Sequence, residues 1–337
     1  MGKYMNIYFL YYTPHPSHKG LADVIGAVDL DILSNKNSIL KRIFSYLNYT
    51  FNSSSDDILL CEGTFLIPSL FKLLPIKRFK KTIINISADP KLFYIKIKRM
   101  NFLERFLHLL AISKVDLFIC IGDMEKDILK EIYPNAKYIV AYPFIDEERY
   151  KYLLNIPVKN KFNHNILFIG NGPDYFYKGL DLLVGAFKIV KKEFEDSQLF
   201  ILGNWDKEII YRFSYEGINF VGFSDIYEYI QKSSLYVHLG RGDTFPVSNL
   251  EALLGGIPCI ISEYTGTKEI IEELREDFVL PLDSKKVAEK IIEYFNLPKD
   301  EKIILSLKAK ELGKRFKKEI VLEDFIKKWK GLVSYEI

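Results

Sequence analysis

The chain has 337 residues, long enough for two domains that each bury a hydrophobic core. Hydrophobic residues make up 48% and charged residues 27%, which excludes a disordered chain. A formal net charge of +3 is too small to argue for nucleic acid.

The opening stretch, "MNIYFLYY", is apolar but too short to span a bilayer. It reads as the first buried strand of a parallel sheet rather than a signal peptide. "PHPSHKG" follows, with His15 and His18 three apart; a metal would need further ligands, and none recurs at a matching spacing. We read a polar loop there, with Asp23 in a capping or solvated position. "VDLDIL", "DILLC", "KTIINIS", "DLFICIG" and "KYIVAY" read as further strands, separated by helical patterns such as "NSILKRIFSYLNYTF" and "LFYIKIKRMNFLERFLHLLAIS". Residues 72–105 are rich in Lys and Arg mixed with large apolar residues. Two readings stay open: a basic amphipathic surface for an anionic membrane, or a helix of the α/β layer with a solvated basic edge.

Residues near 152–164 lack a strand pattern and turn polar and basic, which places a linker there. Beyond it, "HNILFIG", "SQLFILG", "INFVGF", "LYVHLG", "PCIIS" and "DFVLP" alternate again with helical patterns, and after residue 297 the chain is helical to its end. Two series of alternating strands and helices predict two doubly wound α/β domains. Cys61, Cys120 and Cys259 are far apart and lie in apolar runs; buried reduced thiols of a cytosolic protein explain them. No other stretch is long and apolar enough for a membrane helix, and no repeat is evident.

Polar loops recur at the predicted strand ends of the second half: Gly170-Asn171-Gly172, Gly203-Asn204, Gly222, Gly240 to Asp243, and Ser262-Glu263. Ligands of open α/β sheets bind outside the carboxyl ends of the strands. In "GRGDTFPVSNLEALLGGIPCII", Pro246 fits the first position of a helix. Gly255 and Gly256 fit its end. Asp243 then lies just before a helix N-terminus, Ser248 and Asn249 in its first turn, and Glu251 about a turn and a half inside. A helix N-terminus attracts phosphate, and two nearby carboxylates suit vicinal hydroxyls. A sugar nucleotide carries both groups. A capped core helix after a tight turn is the plainer alternative, and recognition of "RGD" as a tripeptide is disfavoured.

From about Asn165 to Glu269 the sequence resembles the donor domain of the retaining glycosyltransferases of family 4, which have the GT-B fold. The resemblance rests on "ILFIGNGPDYFYKGLDLLVGAF", "GINFVGF" and "GDTFPVSNLEALLGGIPCIIS", in order and at suitable separations. It implies two Rossmann-like domains facing a cleft, with a C-terminal helix crossing back to the first. The expected boundaries are 1–155 for the acceptor side, 164–318 for the donor domain and 319–337 for the crossing helix. The implied catalytic residues are Lys178, which neutralises the donor pyrophosphate, and Asp243, beside the donor sugar. Glu251 would bind the ribose. Phe245, Val247, Ser248 and Asn249 would form the pyrophosphate cradle with Gly170, Asn171 and Gly172. Gly222 and Phe223 would lie by the nucleobase, and Gly20 and Asp89 on the acceptor side.

Four positions depart from the family pattern. Asn171 stands where an arginine is usual, so Arg241 is expected to substitute for it. Asp243 replaces a glutamate, Pro246 replaces a glycine, and Ala88 stands before Asp89 where a histidine is frequent. The expected activity is transfer of a sugar from a nucleotide-diphosphate donor to an acceptor hydroxyl with retention, without metal or cofactor, in the cytoplasm or at the inner face of a membrane. The acceptor is a glycan, a lipid or a small molecule. Rivals are a nucleotide-sugar epimerase of related fold and a non-catalytic sugar-nucleotide-binding subunit. A nicotinamide-dependent oxidoreductase is disfavoured, because Gly170-x-Gly172 lacks the third glycine of that fingerprint.

Overall fold

The computed structural model describes residues 6–31, 38–87, 92, 100–171 and 175–336. It contains two parallel six-stranded sheets. The first is built from β1 (Ile7–Tyr11), β2 (Val28–Asp29), β3 (Ile58–Glu62), β4 (Thr82–Ser87), β5 (Leu117–Cys120) and β6 (Tyr138–Val140), in the order β2-β1-β3-β4-β5-β6. The second is built from β7 (Asn165–Ile169), β8 (Gln198–Leu202), β9 (Ile218–Gly222), β10 (Leu235–His238), β11 (Cys259–Ser262) and β12 (Val279–Leu280), in the order β12-β11-β10-β7-β8-β9.

The central strands are apolar throughout because helices cover both faces of a parallel sheet. Ile58 to Cys61 and all of β5, β10 and β11 are buried. Edge strands are shorter than the sequence pattern suggests. "VDLDIL" yields only Val28–Asp29, and Val28 is 57% exposed, so one flank of this strand gains little from burial.

Helices begin where side chains satisfy their free N–H groups. Asp146 caps the helix Glu147–Leu154, Asn101 caps Phe102–Ile112, and Asp283 caps Ser284–Asn296. The basic stretch 72–105 is not one helix. Its described part comprises a 3₁₀ turn at Lys77–Phe79, strand β4 and the start of Phe102–Ile112. Residues 88–91 and 93–99, with Ala88 and Asp89, lie outside the described residues.

The chain divides into two compact units, one running to Phe144 and resuming at Glu319, the other Ile145–Lys318. The C-terminal helix Lys318–Glu336 therefore belongs almost wholly with the first sheet. Residues 145–155, expected in the first domain, cluster with the second. The reason is packing. Tyr150, Leu153 and Ile156 are buried. The Tyr150 hydroxyl donates to the carbonyl of Lys314 at 3.2 Å, and the Lys310 ammonium donates to the carbonyl of Ile156.

All three cysteines are buried and unpaired; burial pushes the Cys61 thiol up to about 12 and raises Cys120 and Cys259 as well. Among the described residues no helix is long and apolar enough to cross a membrane.

Candidate functional site

In the second sheet the strand order reverses between β7 and β10. From β7 the chain proceeds outward through β8 and β9. It then returns to β10 on the other side and proceeds through β11 and β12. A reversal of this kind opens a crevice at the carboxyl ends of the two strands, where ligands of doubly wound sheets bind. Gly170 follows β7, and Gly240 to Phe245 follow β10.

Lys178 and Asp243 meet at this point. The Lys178 ammonium donates to Asp243 Oδ2 at 2.7 Å. His238 Nε2 donates to the same oxygen at 3.1 Å. Burial raises the pKa of the Asp243 carboxyl, but the Lys178 charge and the His238 hydrogen bond outweigh it and hold the carboxyl well below its usual range. The His238 ring is 1% exposed and stacks on Phe168 at 5.9 Å and Tyr236 at 6.4 Å, so its aim is fixed by packing. With Nε2–H directed at the carboxylate, the buried Nδ1 has no hydrogen-bond partner among the described residues.

The segment bearing Lys178 is anchored by Arg241. The guanidinium forms a two-pronged pair with Asp181, at 2.7 and 2.8 Å, and lies 3.9 Å above the Phe176 ring. It also donates to the Phe176 carbonyl, while the Arg241 backbone N–H donates to the Tyr177 carbonyl at 2.8 Å. Phe176 and Asp181 flank Lys178, so the arginine grips both sides of the turn. Gly179, inside that turn, has φ +71°, and a Cβ there would meet the Leu239 carbonyl oxygen at 1.9 Å. Only glycine fits. Arg241, expected to supply the phosphate charge missing at Asn171, has its guanidinium paired with Asp181 in this structure.

After this loop the helix Val247–Leu254 opens, with Pro246 as its N-cap rather than its first residue. Gly256, at φ +79°, follows the helix end. Glu251 is 3% exposed, and its Oε1 accepts from Arg149 at 2.7 Å. Burial raises the Glu251 pKa, and Arg149 opposes that shift. The Ser248 hydroxyl accepts from Tyr236 at 2.9 Å. Val247 is half-buried.

Two expected cradle residues point elsewhere. The Asn249 amide is buried and donates to Thr267 Oγ1 at 2.7 Å. Phe245 is 5% exposed and packs on Phe316 at 6.2 Å. Both hold the helix in place, because an apolar ring and a satisfied amide gain more inside than at a polar crevice.

Of the remaining expected residues, Asn171 is exposed at the end of β7 and Gly172 lies outside the described residues. Gly222, at φ +68°, has open space where a Cβ would stand, and Phe223 beside it is 79% exposed. An exposed ring next to an open backbone is suited to stacking on a planar base. In the first unit, Gly20 serves packing: a Cβ there would lie 2.6 Å from the Phe144 ring. Asp89 lies outside the described residues.

His238, Arg149 and Asp181 were not singled out in the sequence. His238 left a weak signal as the one basic residue of an otherwise apolar strand, five positions before Asp243. Arg149 left none, since it is 102 residues from Glu251.

Residues 163–296 match the family model described as glycosyl transferases group 1. An uncharacterized glycosyltransferase of Haemophilus influenzae is 22% identical over 237 residues, covering 66% of this chain and 63% of that protein. An uncharacterized glycosyltransferase of Methanocaldococcus jannaschii is 25% identical over 233 residues, covering 64% of this chain and 59% of that one. The chain thus spans about three fifths of the length of these curated relatives. Among solved structures, Anabaena HepE in complex with UDP-glucose superposes with a TM-score of 0.71 at 14% identity, covering 98% of this chain and all of that one. Sucrose-phosphate synthase of Thermosynechococcus elongatus gives 0.67 at 15% identity, covering 88% and 78%. These likenesses show the fold, the GT-B pattern of two doubly wound sheets.

Proposed function

We propose that the protein transfers a sugar from a nucleotide-diphosphate donor to an acceptor hydroxyl, with retention at the anomeric carbon. The observation that carries the reading is the Lys178–Asp243–His238 cluster at the reversal point of the second sheet, beside the helix that bears Glu251. The family match over the same residues supports it, as do the donor-bound structures of similar fold. The sequence resemblance supports retention.

In this reading Lys178 stabilises the charge that grows on the departing diphosphate. Asp243, ionised and fixed by His238, accepts hydrogen bonds from the transferred sugar. Glu251 accepts from the ribose hydroxyls, and the Val247 helix N-terminus faces phosphate. Phe223 stacks on the base. The residues supply electrostatics and orientation, with no metal or cofactor in the proposal.

Peripheral contact with an anionic membrane in the cytoplasm belongs to the same proposal. Phe102, Leu103 and Phe106 are exposed on one helix that also bears Arg105. Co-sedimentation with phosphatidylglycerol vesicles, lost in Phe102→Ser/Phe106→Ser, tests this part.

The function is tested by thermal shift against a panel of nucleotides and nucleotide sugars, since selective binding raises stability by mass action. NMR of the product anomer follows for the donor that binds. An α-linked donor that yields a β-linked product overturns retention. Binding without any donor consumption favours a binding subunit, and an altered sugar nucleotide without transfer favours an epimerase.

A further inference from the structure

A cavity of about 790 Å³ opens at the amino ends of β1 and β3, away from the carboxyl ends of the first sheet. Small-molecule sites span about 300–1,000 Å³. Asn6, just before β1, and Asp57, just before β3, line one side. The helix Ile39–Asn52 lines the other. Phe44, Asn48 and Asn52 recur every four residues along it, so they share one face. The Asn52 amide donates to the Asn48 carbonyl at 2.8 Å, which holds the two side by side.

Asp57 is 2% exposed. Its Oδ2 accepts from the Ser54 N–H at 3.0 Å and lies 3.9 Å from the Lys81 ammonium. Lys81 is itself fully buried and donates to the Ser54 carbonyl. Asp57 Oδ1 is buried with no hydrogen-bond partner among the described residues. Folded proteins leave few such atoms, because a buried ionised oxygen without a donor costs stability. A carboxylate only accepts, so the missing partner is a donor.

Charge narrows the ligand class. Asp57 is the one charged residue among the described residues that line the cavity, and Lys81 behind it balances its charge. An anion would face the carboxylate and a cation the buried ammonium, so a neutral ligand fits better than either. The walls are aromatic as well as polar. Tyr8 and Tyr49 meet edge to face at 5.6 Å, and the Phe44 ring is 74% exposed. Ring faces beside amides and a carboxylate suit a sugar, which has an apolar C–H face and donating hydroxyls.

We propose that this cavity binds a neutral saccharide, with one hydroxyl donating to Asp57 Oδ1 and a sugar face resting on Phe44. No residue of the second unit takes part, so the site does not depend on the transferase reading.

Saturation-transfer NMR of the full chain against maltotriose, cellotriose and chitotriose tests it, with calorimetry on the member that binds. Asp57→Asn keeps the side-chain shape and an acceptor for the Ser54 N–H. It should weaken binding about 10- to 100-fold, the usual loss when a hydrogen bond to a charged group goes. Phe44→Ala removes an exposed ring and should leave the melting temperature unchanged. It should weaken binding about 2- to 10-fold, as expected for a lost aromatic contact. Both variants should bind UDP as the wild type does. No transfer to any of the three saccharides, or equal saccharide affinity in the wild type and Phe44→Ala, overturns the site. Binding of putrescine in place of the saccharides, lost in Asp57→Asn, overturns the neutral ligand class.

Discussion

The Lys178 ammonium lies 2.7 Å from the Asp243 carboxylate, across 65 residues of sequence, at the carboxyl ends of β7 and β10. Each charge holds the other in place. The side chains are 36% and 16% exposed, so both remain within reach of a ligand. Lys178→Ala should keep the fold and lose transfer about 10²- to 10³-fold, the usual cost of removing one pre-organised donor at a developing negative charge. Steady-state kinetics with the donor, beside a circular-dichroism melt, checks both halves of this expectation.

The same pair makes stability depend on pH. Asp243 has a folded pKa depressed below its ordinary 3.8, because Lys178 and His238 outweigh burial. Its ionised form therefore contributes stability that is complete above the unfolded value and is lost as pH falls through the folded one. Asp243→Asn should be less stable than wild type at neutral pH. The gap should narrow below about pH 4, as the unfolded carboxyl takes up its proton. Urea melts at several pH values measure it; a gap that widens on acidification would count against the assignment.

Arg241 and Asp181 should behave as one unit. Arg241→Ala and Asp181→Ala each release the turn that carries Lys178, so each should slow turnover. The double variant should be little worse than either, with a coupling of about 0.5–3 kcal/mol. Strict additivity would mean that Arg241 acts apart from Asp181, as a direct phosphate contact would.

Glu251 and Asp243 should separate by ligand. Glu251→Ala should weaken binding of free nucleoside diphosphate by about 10- to 100-fold, as expected for lost hydrogen bonds to a charged acceptor. It should also erase the preference for ribose over 2′-deoxyribose. Asp243→Ala should spare the free diphosphate and damage turnover of the sugar nucleotide. Calorimetry with both nucleotides, and kinetics with the donor, distinguishes the roles.

Gly179→Ala should destabilise the second unit. A left-handed φ alone costs about 1–2 kcal/mol for a residue with a Cβ. Contact with the Leu239 carbonyl adds to this and displaces Lys178. Turnover should fall further than stability does, and a thermal melt beside an activity assay shows the difference.

Much of the fold was legible in the sequence, because strand and helix patterns are local. Each of the twelve apolar runs read as a strand contains one, since a strand buried on both faces needs nearly every residue apolar. Asp243 and Glu251 were singled out for a related reason: glycine loops and helix starts mark strand ends, and strand ends are where such sheets bind ligands; Lys178 was singled out through the family resemblance alone.

What the tertiary structure alone decided is which side chains meet. Asp181 pairs with Arg241 through both guanidinium nitrogens, and Phe316 covers Phe245. His238 reaches Asp243 only because Phe168 and Tyr236 fix its ring. Arg149 reaches Glu251 because residues 145–155 pack on the second unit rather than the first. Glu62 reaches His18 because β1 and β3 are neighbours. None of these pairings leaves a periodic trace, since a contact between distant segments depends on strand order and packing, whereas periodicity records only which way each residue faces along its own element.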